Sequence, residues 1–455
     1  MILEQKTVKE NKMGNAPVGG LIFRLSVPLM ISMLVQSLYN IVDGIFVSRI
    51  SEDALTATSL AYPAQMLMLA VAVGTGVGVN SLLSRKLGQK NYEEVNQVAT
   101  EGLMLAVLSS MVFIVLGAAA SGTFIRAFTD DSVIADFGVR YLRICMLLCP
   151  GIFLATTGER LLQATGNTFL SMMAQIGGAV TNIILDPILI FGLFGLPRMG
   201  VPGAALATVI GQWVAAAASL GLNRRMNHEI HFKIKGYRPD GHLILGIYKV
   251  GIPSMLMQTM GSLMMVGMNA ILTGFASAAV AAFGVYYKLW TFVYMPVSGL
   301  AQGLLPIIGY NYGAKNGERV RTAFRLTVTA AMCIMLAGAA LFFLIPQRLL
   351  GLYAAGDELM AIGTPLIRIM SITFPVAAVS ITIGFACSAL GNGMVSMLST
   401  CMRQLVLLVP MAGFIASRYG LNYAWYAAWI SETVAVLFSI FCFHREYQKK
   451  IRPIL

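Results

Sequence analysis

Long apolar runs separated by short polar segments make up most of the chain. A helix that crosses a bilayer needs about 20 mostly apolar residues, and these runs are long enough. Gly, Pro and clusters of charge mark their ends. The pattern predicts an all-α polytopic membrane protein with twelve transmembrane helices, at residues 22–48, 54–84, 94–121, 133–160, 168–194, 201–223, 243–274, 279–310, 319–345, 359–386, 393–417 and 422–444.

The second half of the chain repeats the first at a constant shift of 225 residues. The segment Leu87-Gly88-Gln89-Lys90-Asn91-Tyr92-Glu93-Glu94-Val95 matches Tyr312-Gly313-Ala314-Lys315-Asn316-Gly317-Glu318-Arg319-Val320. Each repeat holds an even number of helices, so both halves enter the membrane from the same side. We therefore predict two six-helix lobes related by a parallel pseudo-two-fold repeat. Further matches at this shift pair Pro28 with Pro253, Gly74 with Gly299, Arg143 with Arg368, Pro150 with Pro375, Gly166-Asn167 with Gly391-Asn392, and Gly195 with Gly420.

One long polar stretch separates the two halves. It defines the predicted domain order. We expect a cytoplasmic N-terminal tail at residues 1–20, an N-terminal lobe at 21–223, a cytoplasmic linker at 224–242, a C-terminal lobe at 243–445 and a cytoplasmic tail at 446–455.

The chain of 455 residues is 57% apolar and 11% charged, with a net charge of +12. Soluble domains carry roughly 25% charged residues. The basic residues sort by membrane side, which makes their excess an orientation signal and not evidence for a nucleic-acid partner. We expect a cell-membrane protein with both termini cytoplasmic: 22 of the 32 Lys and Arg residues then lie inside, five within helices (Arg140, Arg143, Lys288, Arg368, Arg403) and five outside (Arg49, Arg126, Arg198, Arg348, Arg418).

Several common motifs are absent or incomplete. All six cysteines fall in apolar runs, which argues against disulfides, and His228 and His231 lack the spacing of a zinc protease motif. The Gly-rich segment 74–78 lies in an apolar helix and favours close helix packing over phosphate binding. We expect no enzyme activity, no cofactor and no metal site apart from a coupling Na⁺.

Three acids lie well inside predicted helices: Asp43, Asp186 and Glu432. Placing an acid at the centre of a transmembrane helix costs about 2.5 to 3.5 kcal/mol on insertion scales, so each of these acids is a functional candidate. The repeat places Met268 and Met411 at the positions of Asp43 and Asp186, so the shared fold does not require those acids. Their role belongs to one lobe. For Glu432 we favour a structural or cavity-lining role.

The acids of the first lobe have polar neighbours at helical spacing. Asn182 precedes Asp186 by one turn, and such acids bind a proton or are neutralised by Na⁺. The alternatives are that Asp43 lies in water at the helix end and that Asp186 caps a break at Pro187. The neighbours of Asp43 on its helix are Gln36, Tyr39 and Asn40.

Pro28 lies inside the first helix, where its missing N–H weakens the hydrogen-bond ladder. We predict a hinge there, although the counterpart Pro253 equally favours a static kink of the shared fold.

The eighth helix carries an aromatic face suited to flat or cationic molecules, or to an interfacial aromatic belt. We predict a substrate cavity that includes Gln36, Asn40, Gln258, Tyr286, Trp290 and Tyr294.

Over about residues 20 to 445, the chain resembles the multidrug and toxic compound extrusion (MATE) transporters. Pro28 is followed by Asp43 fifteen residues later, and Asn182-Ile183-Ile184-Leu185-Asp186-Pro187 runs into Phe191-Gly192. Together with the repeat, these motifs are specific. Two further segments complete the likeness: Leu162-Gln163-Ala164-Thr165-Gly166-Asn167, and Gly200-Val201-Pro202-Gly203-Ala204-Ala205 with Ala207-Thr208.

The resemblance implies a secondary antiporter, here expected as a monomer, that exports small organic, often cationic or amphiphilic compounds in exchange for H⁺ or Na⁺ by alternating access. The seventh helix offers Gln258 and Asn269 where one branch of the family uses acids, which makes the chain more similar to the DinF-like branch. The positions that match or adjoin the family's cation site in the N-terminal lobe are Tyr39, Asp43, Asn182, Asp186 and Thr208.

Two other functions are compatible with a polytopic membrane protein. A lipid-linked oligosaccharide flippase shares the general architecture but needs a strongly cationic cavity, and few basic residues lie within the helices. A non-transporting membrane scaffold would not need acids in one repeat only.

Overall fold

The computed structural model describes residues 11–233, 236–353 and 356–455, so positions 1–10 of the predicted N-terminal tail and 234–235 of the linker lie outside it. The described chain contains helices and no strand. Twelve spans, named here by their order, run from Val18–Ser48, Glu52–Gly88, Tyr92–Arg126, Ser132–Leu147 with Pro150–Ala164, Thr168–Phe191, Val201–Met226, Gly241–Leu272, Ser277–Gly313, Gly317–Leu344, Asp357–Ser371 with Phe374–Ala389, Gly393–Tyr419 and Leu421–Ile454.

The eleventh and twelfth spans are composite. The eleventh consists of Gly393–Cys401, a π-helical turn at Met402–Leu408, and Val409–Tyr419. The twelfth consists of Leu421–Ala424, Ala427–Glu446, a π-helical turn at Tyr447–Ile451, and the 3₁₀ turn Arg452–Ile454. Outside the spans lie the short helices Lys12–Asn15 and Pro346–Gly351 and the 3₁₀ turn Leu193–Gly195.

All twelve predicted spans are present, and the multi-pass membrane fold is confirmed. The prediction was wrong in one respect, because the helices predicted at 133–160 and 359–386 are each broken. The halves of the fourth span meet at 47° and those of the tenth at 53°. Pro150 and Pro375 lie in the first turn of the helix after each break, where the missing N–H of proline costs no helical hydrogen bond.

Each break frees a backbone carbonyl inside the membrane, where no water can bind it. The indole of Trp213 donates to the Leu148 carbonyl at 3.2 Å. In the other lobe, Trp429 donates to the Ile369 carbonyl at 2.7 Å. In each lobe, an indole N–H from the last span therefore donates to the carbonyl that the bend leaves without a helical partner.

The predicted repeat extends to backbone conformation. Residues related by the 225-residue shift have similar positive φ angles, which are uncommon for a residue other than glycine, such as lysine. The φ angles are 59° and 56° at Lys90 and Lys315, 81° and 83° at Gly166 and Gly391, and 83° and 93° at Gly195 and Gly420.

The two lobes pack together at the end of the bundle that carries both termini. Ser81 Oγ donates to the Ser388 carbonyl at 2.5 Å, and Ser26 Oγ donates to the Leu300 carbonyl at 3.2 Å. The hydrogen bonds between lobes in the described part of the chain lie in this half. The structure is therefore closed at the end of the termini.

Glycines allow this close approach. A Cβ at Gly74 would lie 2.8 Å from the Gly251 carbonyl oxygen, and a Cβ at Gly78 would overlap the carbonyl of Ile247. The Gly-rich segment 74–78 thus packs against the seventh span, as predicted.

The connection between the lobes is fastened to the third span by Glu101, which is 1% exposed. Tyr237 Oη donates to Glu101 Oε2 at 2.5 Å, and the Asp240 amide donates to Oε1 at 2.7 Å. Burial and this carboxylate raise the pKa of the Tyr237 hydroxyl, which keeps it a proton donor.

Adding one methyl group at the seam between the lobes should open it. In Gly303→Ala, the new Cβ would lie 3.0 Å from Ser26 Cα, and overpacking of this kind costs about 1 to 3 kcal/mol. We expect a thiol reagent to modify an introduced Ser81→Cys roughly ten-fold faster in this variant. Gly284→Ala on the same span is the control, since no atom lies within 4 Å of its Cβ. Equal rates in both variants would contradict the packing described here.

Candidate functional site

Close packing of the fifth and sixth spans builds a polar site in the first lobe. Gly178 and Gly211 face each other, and a Cβ on either would lie 2.7 Å from the other's carbonyl oxygen. Small residues permit such backbone contact in membranes. The contact brings Asn182 on the fifth span next to Thr208 on the sixth.

Asn182 links two of the predicted site residues. Its Nδ2 donates to Asp186 Oδ1 and to Thr208 Oγ1, both at 3.4 Å. Thr208 also lies close to the Tyr39 hydroxyl and interacts with it. Asp186 is fully buried, and Asn182 is 2% exposed. The first, fifth and sixth spans thus converge on one polar cluster.

Asp43 and Asp186 face each other in this cluster, with their carboxyl groups within hydrogen-bond range. Asp43 Oδ1 and Asp186 Oδ2 are enclosed and have no hydrogen-bond donor among the described residues. Two ionised carboxylates have no proton to donate to each other. The contact is therefore suited to one shared proton or to a small cation.

The alternatives considered for these acids do not match the structure. Asp43 does not end the first span, which continues to Ser48, and its Oδ1 is enclosed. The fifth span does not break at Pro187 but continues to Phe191, so Asp186 does not act as a cap.

Sequence reasoning missed three neighbours of the acids. Gln65 Nε2 donates to the Tyr141 hydroxyl at 3.4 Å and to Cys145 Sγ at 3.5 Å. Tyr141 and Cys145 are buried and interact electrostatically with Asp43. The only signal in the sequence is the spacing of Tyr141 and Cys145, one turn apart on the fourth span.

The other two predicted neighbours of Asp43 on its helix form no hydrogen bond with the acidic pair in the described part of the chain. Gln36, about two turns before Asp43, accepts a hydrogen bond from Gln175 Nε2 at 3.2 Å. Asn40 is exposed on the first span, and Gln258 is exposed on the seventh.

The aromatic face of the eighth span differs from the predicted one. Tyr286 is 5% exposed and packs into the second lobe beside Phe283, with ring centroids 6.1 Å apart. Tyr287 takes its place in a stacked column with Trp290 and Tyr294, at centroid distances of 5.6 and 4.7 Å. Tyr287 also interacts electrostatically with Tyr62 of the opposite lobe, so the column faces the other lobe.

Twelve spans in two repeated lobes, with a buried acidic pair in only one of them, define a polytopic membrane transporter. The sequence profile of the MatE family matches residues 28–188 and 253–413. The chain belongs to this family, the MATE transporters, and the two matched segments reproduce the shift of the repeat.

Relatives and solved structures agree with this assignment. The multidrug export protein MepA of Staphylococcus haemolyticus is 24% identical over 417 residues, which cover 91% of each chain. The crystal structure of a MATE protein in complex with MaL6 has a TM-score of 0.91 at 25% identity and covers 98% of this chain and 100% of that one. A multidrug resistance MATE transporter in an outward-facing conformation has a TM-score of 0.90 at 26% identity, with the same coverage.

The contact between the fifth and sixth spans should be sensitive to a single methyl group. Gly178→Ala would bring a Cβ within 2.8 Å of Ala215 Cβ and separate Asn182 from Thr208. We expect it to lower the free energy of unfolding by about 1 to 3 kcal/mol. Gly177→Ala is the control, because its Cβ meets no atom within 4 Å and alanine favours helices. Denaturant unfolding in detergent measures both, and equal stabilities would rule out the proposed packing.

Proposed function

We propose that this protein is a secondary active antiporter that exports organic compounds, cationic or amphiphilic, in exchange for H⁺ or Na⁺. The contact between the Asp43 and Asp186 carboxyl groups carries the proposal. Two like charges this close and this buried repel strongly unless a proton or cation joins them. The pair is therefore a cation-binding element, and the coupling cation is the only ion that the mechanism requires.

The direction of transport follows from orientation. The excess of Lys and Arg on one side favours cytoplasmic termini in the cell membrane. The closed end of the bundle then faces the cytoplasm, which favours access from the outside in this state. The relative MepA is named a multidrug export protein, which supports export as the direction.

Alternating access needs a difference in cation affinity between the two states, because a ligand shifts a conformational equilibrium only by its differential affinity. In the outward-open state, the acidic pair takes up a cation from outside, and the substrate leaves. The stacked column of Tyr287, Trp290 and Tyr294 offers aromatic faces to an organic cation.

The second lobe carries Met268 and Met411 at the positions of the two acids. Coupling therefore resides in the first lobe, as expected for the DinF-like branch. A single chain contains both lobes and the whole acidic cluster, so a monomer is sufficient for the cycle.

Removing either acid should abolish coupled efflux. In liposomes with an imposed H⁺ or Na⁺ gradient, Asp43→Asn and Asp186→Asn should export a lipophilic cation no faster than protein-free liposomes, because a neutral amide does not exchange a coupling charge. Asp53→Asn, at an exposed acid near the start of the second span, should behave as the wild type. Undiminished gradient-driven efflux in both site variants would exclude this mechanism.

We further propose that the first span bends at Pro28 when the cation binds. Because Pro28 has no N–H, the Arg24 carbonyl lacks a helical partner, and Thr168 Oγ1 contacts it at 3.5 Å instead. Gly393 occupies the position of Thr168 in the second lobe, and its Cβ would press on Pro253. Among the described residues, only the first lobe thus supplies a side-chain contact, weak and exchangeable, to the carbonyl that its proline leaves without a helical partner.

This asymmetry gives a matched pair of variants. Pro28→Ala should restore the helical hydrogen bond, stiffen the first span and slow efflux roughly ten-fold, since one such bond contributes about 1 kcal/mol or more. Pro253→Ala should reduce efflux much less. The liposome assay measures both. Equal effects in the two lobes would indicate that both prolines merely shape the fold.

A further inference from the structure

The second lobe contains a charged pair that the acidic cluster does not involve. Arg403 lies near the middle of the eleventh span and Glu432 about a third of the way along the twelfth, with side chains 11% and 15% exposed. The repeat places Gly178 and Ala207 at these positions in the first lobe. The shared fold therefore packs these two helices without charges, and the pair serves a purpose of the second lobe alone.

The local backbone differs in the same place. Arg403 lies on the π-helical turn Met402–Leu408, whereas the corresponding segment of the fifth span is regular α-helix. Such single π-helical turns within α-helices occur frequently at functional sites.

The ion pair uses little of the bonding capacity of either side chain. Arg403 Nη1 lies 3.6 Å from Glu432 Oε1, and Arg403 forms no hydrogen bond to any residue that the structure describes. A guanidinium carries five N–H donors in a planar fork that fits a carboxylate. Glu432 Oε2 is enclosed and lacks a donor among the described residues, but no guanidinium nitrogen is enclosed in this way. The donors of Arg403 therefore remain accessible.

Arg403 lies beside the eighth span. It interacts electrostatically with the buried Tyr286 and with Tyr287, and Tyr287 also interacts with Tyr62 of the first lobe. Tyr287 begins the stacked aromatic column. A molecule lying on this column would thus have aromatic rings on one side and a guanidinium with unused donors beside it.

We propose that Arg403 binds the carboxylate, or a similar anionic group, of zwitterionic and anionic amphiphiles, with Glu432 as the counter-ion that holds the guanidinium when no substrate is bound. The inference rests on the proposed export function and extends it to a second substrate class. Pure cations would use the aromatic column alone.

Two matched fluorescent probes test the site on the purified full-length protein: an aromatic xanthylium dye with a free carboxylate, and its methyl ester. Arg403→Gln should weaken binding of the carboxylate dye roughly ten-fold, as expected for loss of a hydrogen bond to a charged group, and leave the ester within about two-fold. Glu432→Gln should strengthen binding of the carboxylate dye, because it removes the competing acceptor. Arg403→Lys should retain part of the affinity.

A purely structural ion pair predicts a different result. Arg403→Gln and Glu432→Gln would then both lower the unfolding midpoint and weaken the binding of both dyes alike. That result would overturn the inference. A carboxylate dye that the wild type does not bind would also overturn it, even if the ester is exported. Gradient-driven export of the ester, and its loss in Asp43→Asn, measures the proposed antiport separately.

Discussion

A polar group in a lipid bilayer must find its partner within the protein, because the hydrocarbon offers none. This constraint accounts for the contacts that define the molecule. The bends before Pro150 and Pro375 are stable because an indole binds each freed carbonyl. Thr168 does the same for the carbonyl opposite Pro28. The few groups that stay unsatisfied, above all the oxygens of the acidic pair, are therefore the ones most suited to binding ions.

The two lobes share a scaffold but not its chemistry. Backbone bends, left-handed residues and glycine seams recur at equivalent positions, whereas the acidic pair and the Arg403–Glu432 ion pair do not. The first lobe has acids where the second has methionines, and the second has Arg403 and Glu432 where the first has Gly178 and Ala207. Features that packing requires are thus present in both lobes, whereas the groups proposed to bind the cation and the substrate's anionic group are each present in one lobe.

Much of this was predictable from the sequence. Bilayer thickness fixes the length of each span, and the rarity of buried acids identified Asp43 and Asp186 without a structure. The breaks in the fourth and tenth spans were missed because the apolar pattern continues across them. Which side chains of a helix face the site depends on the rotation of the helix about its axis, which the sequence pattern did not specify. Tyr286 and Tyr287 are adjacent in sequence, yet Tyr286 packs into the core and Tyr287 faces the opposite lobe. The places of Gln65 and Tyr141 depend on tertiary contacts that spacing within one helix does not encode.

The seam at one end of the bundle also has a mechanical consequence. The second and eighth spans contain 37 residues each, which corresponds to a length of about 55 Å. Their contacts lie at the end of the bundle that carries both termini. Each span therefore rotates about that end when the packing there changes. The far ends lie about 40 Å from the seam, so a rotation of roughly 10° about it would displace them by about 7 Å. A small rotation at a few glycine contacts would therefore change the separation of the opposite ends of the two lobes by several times as much as it changes the contacts themselves.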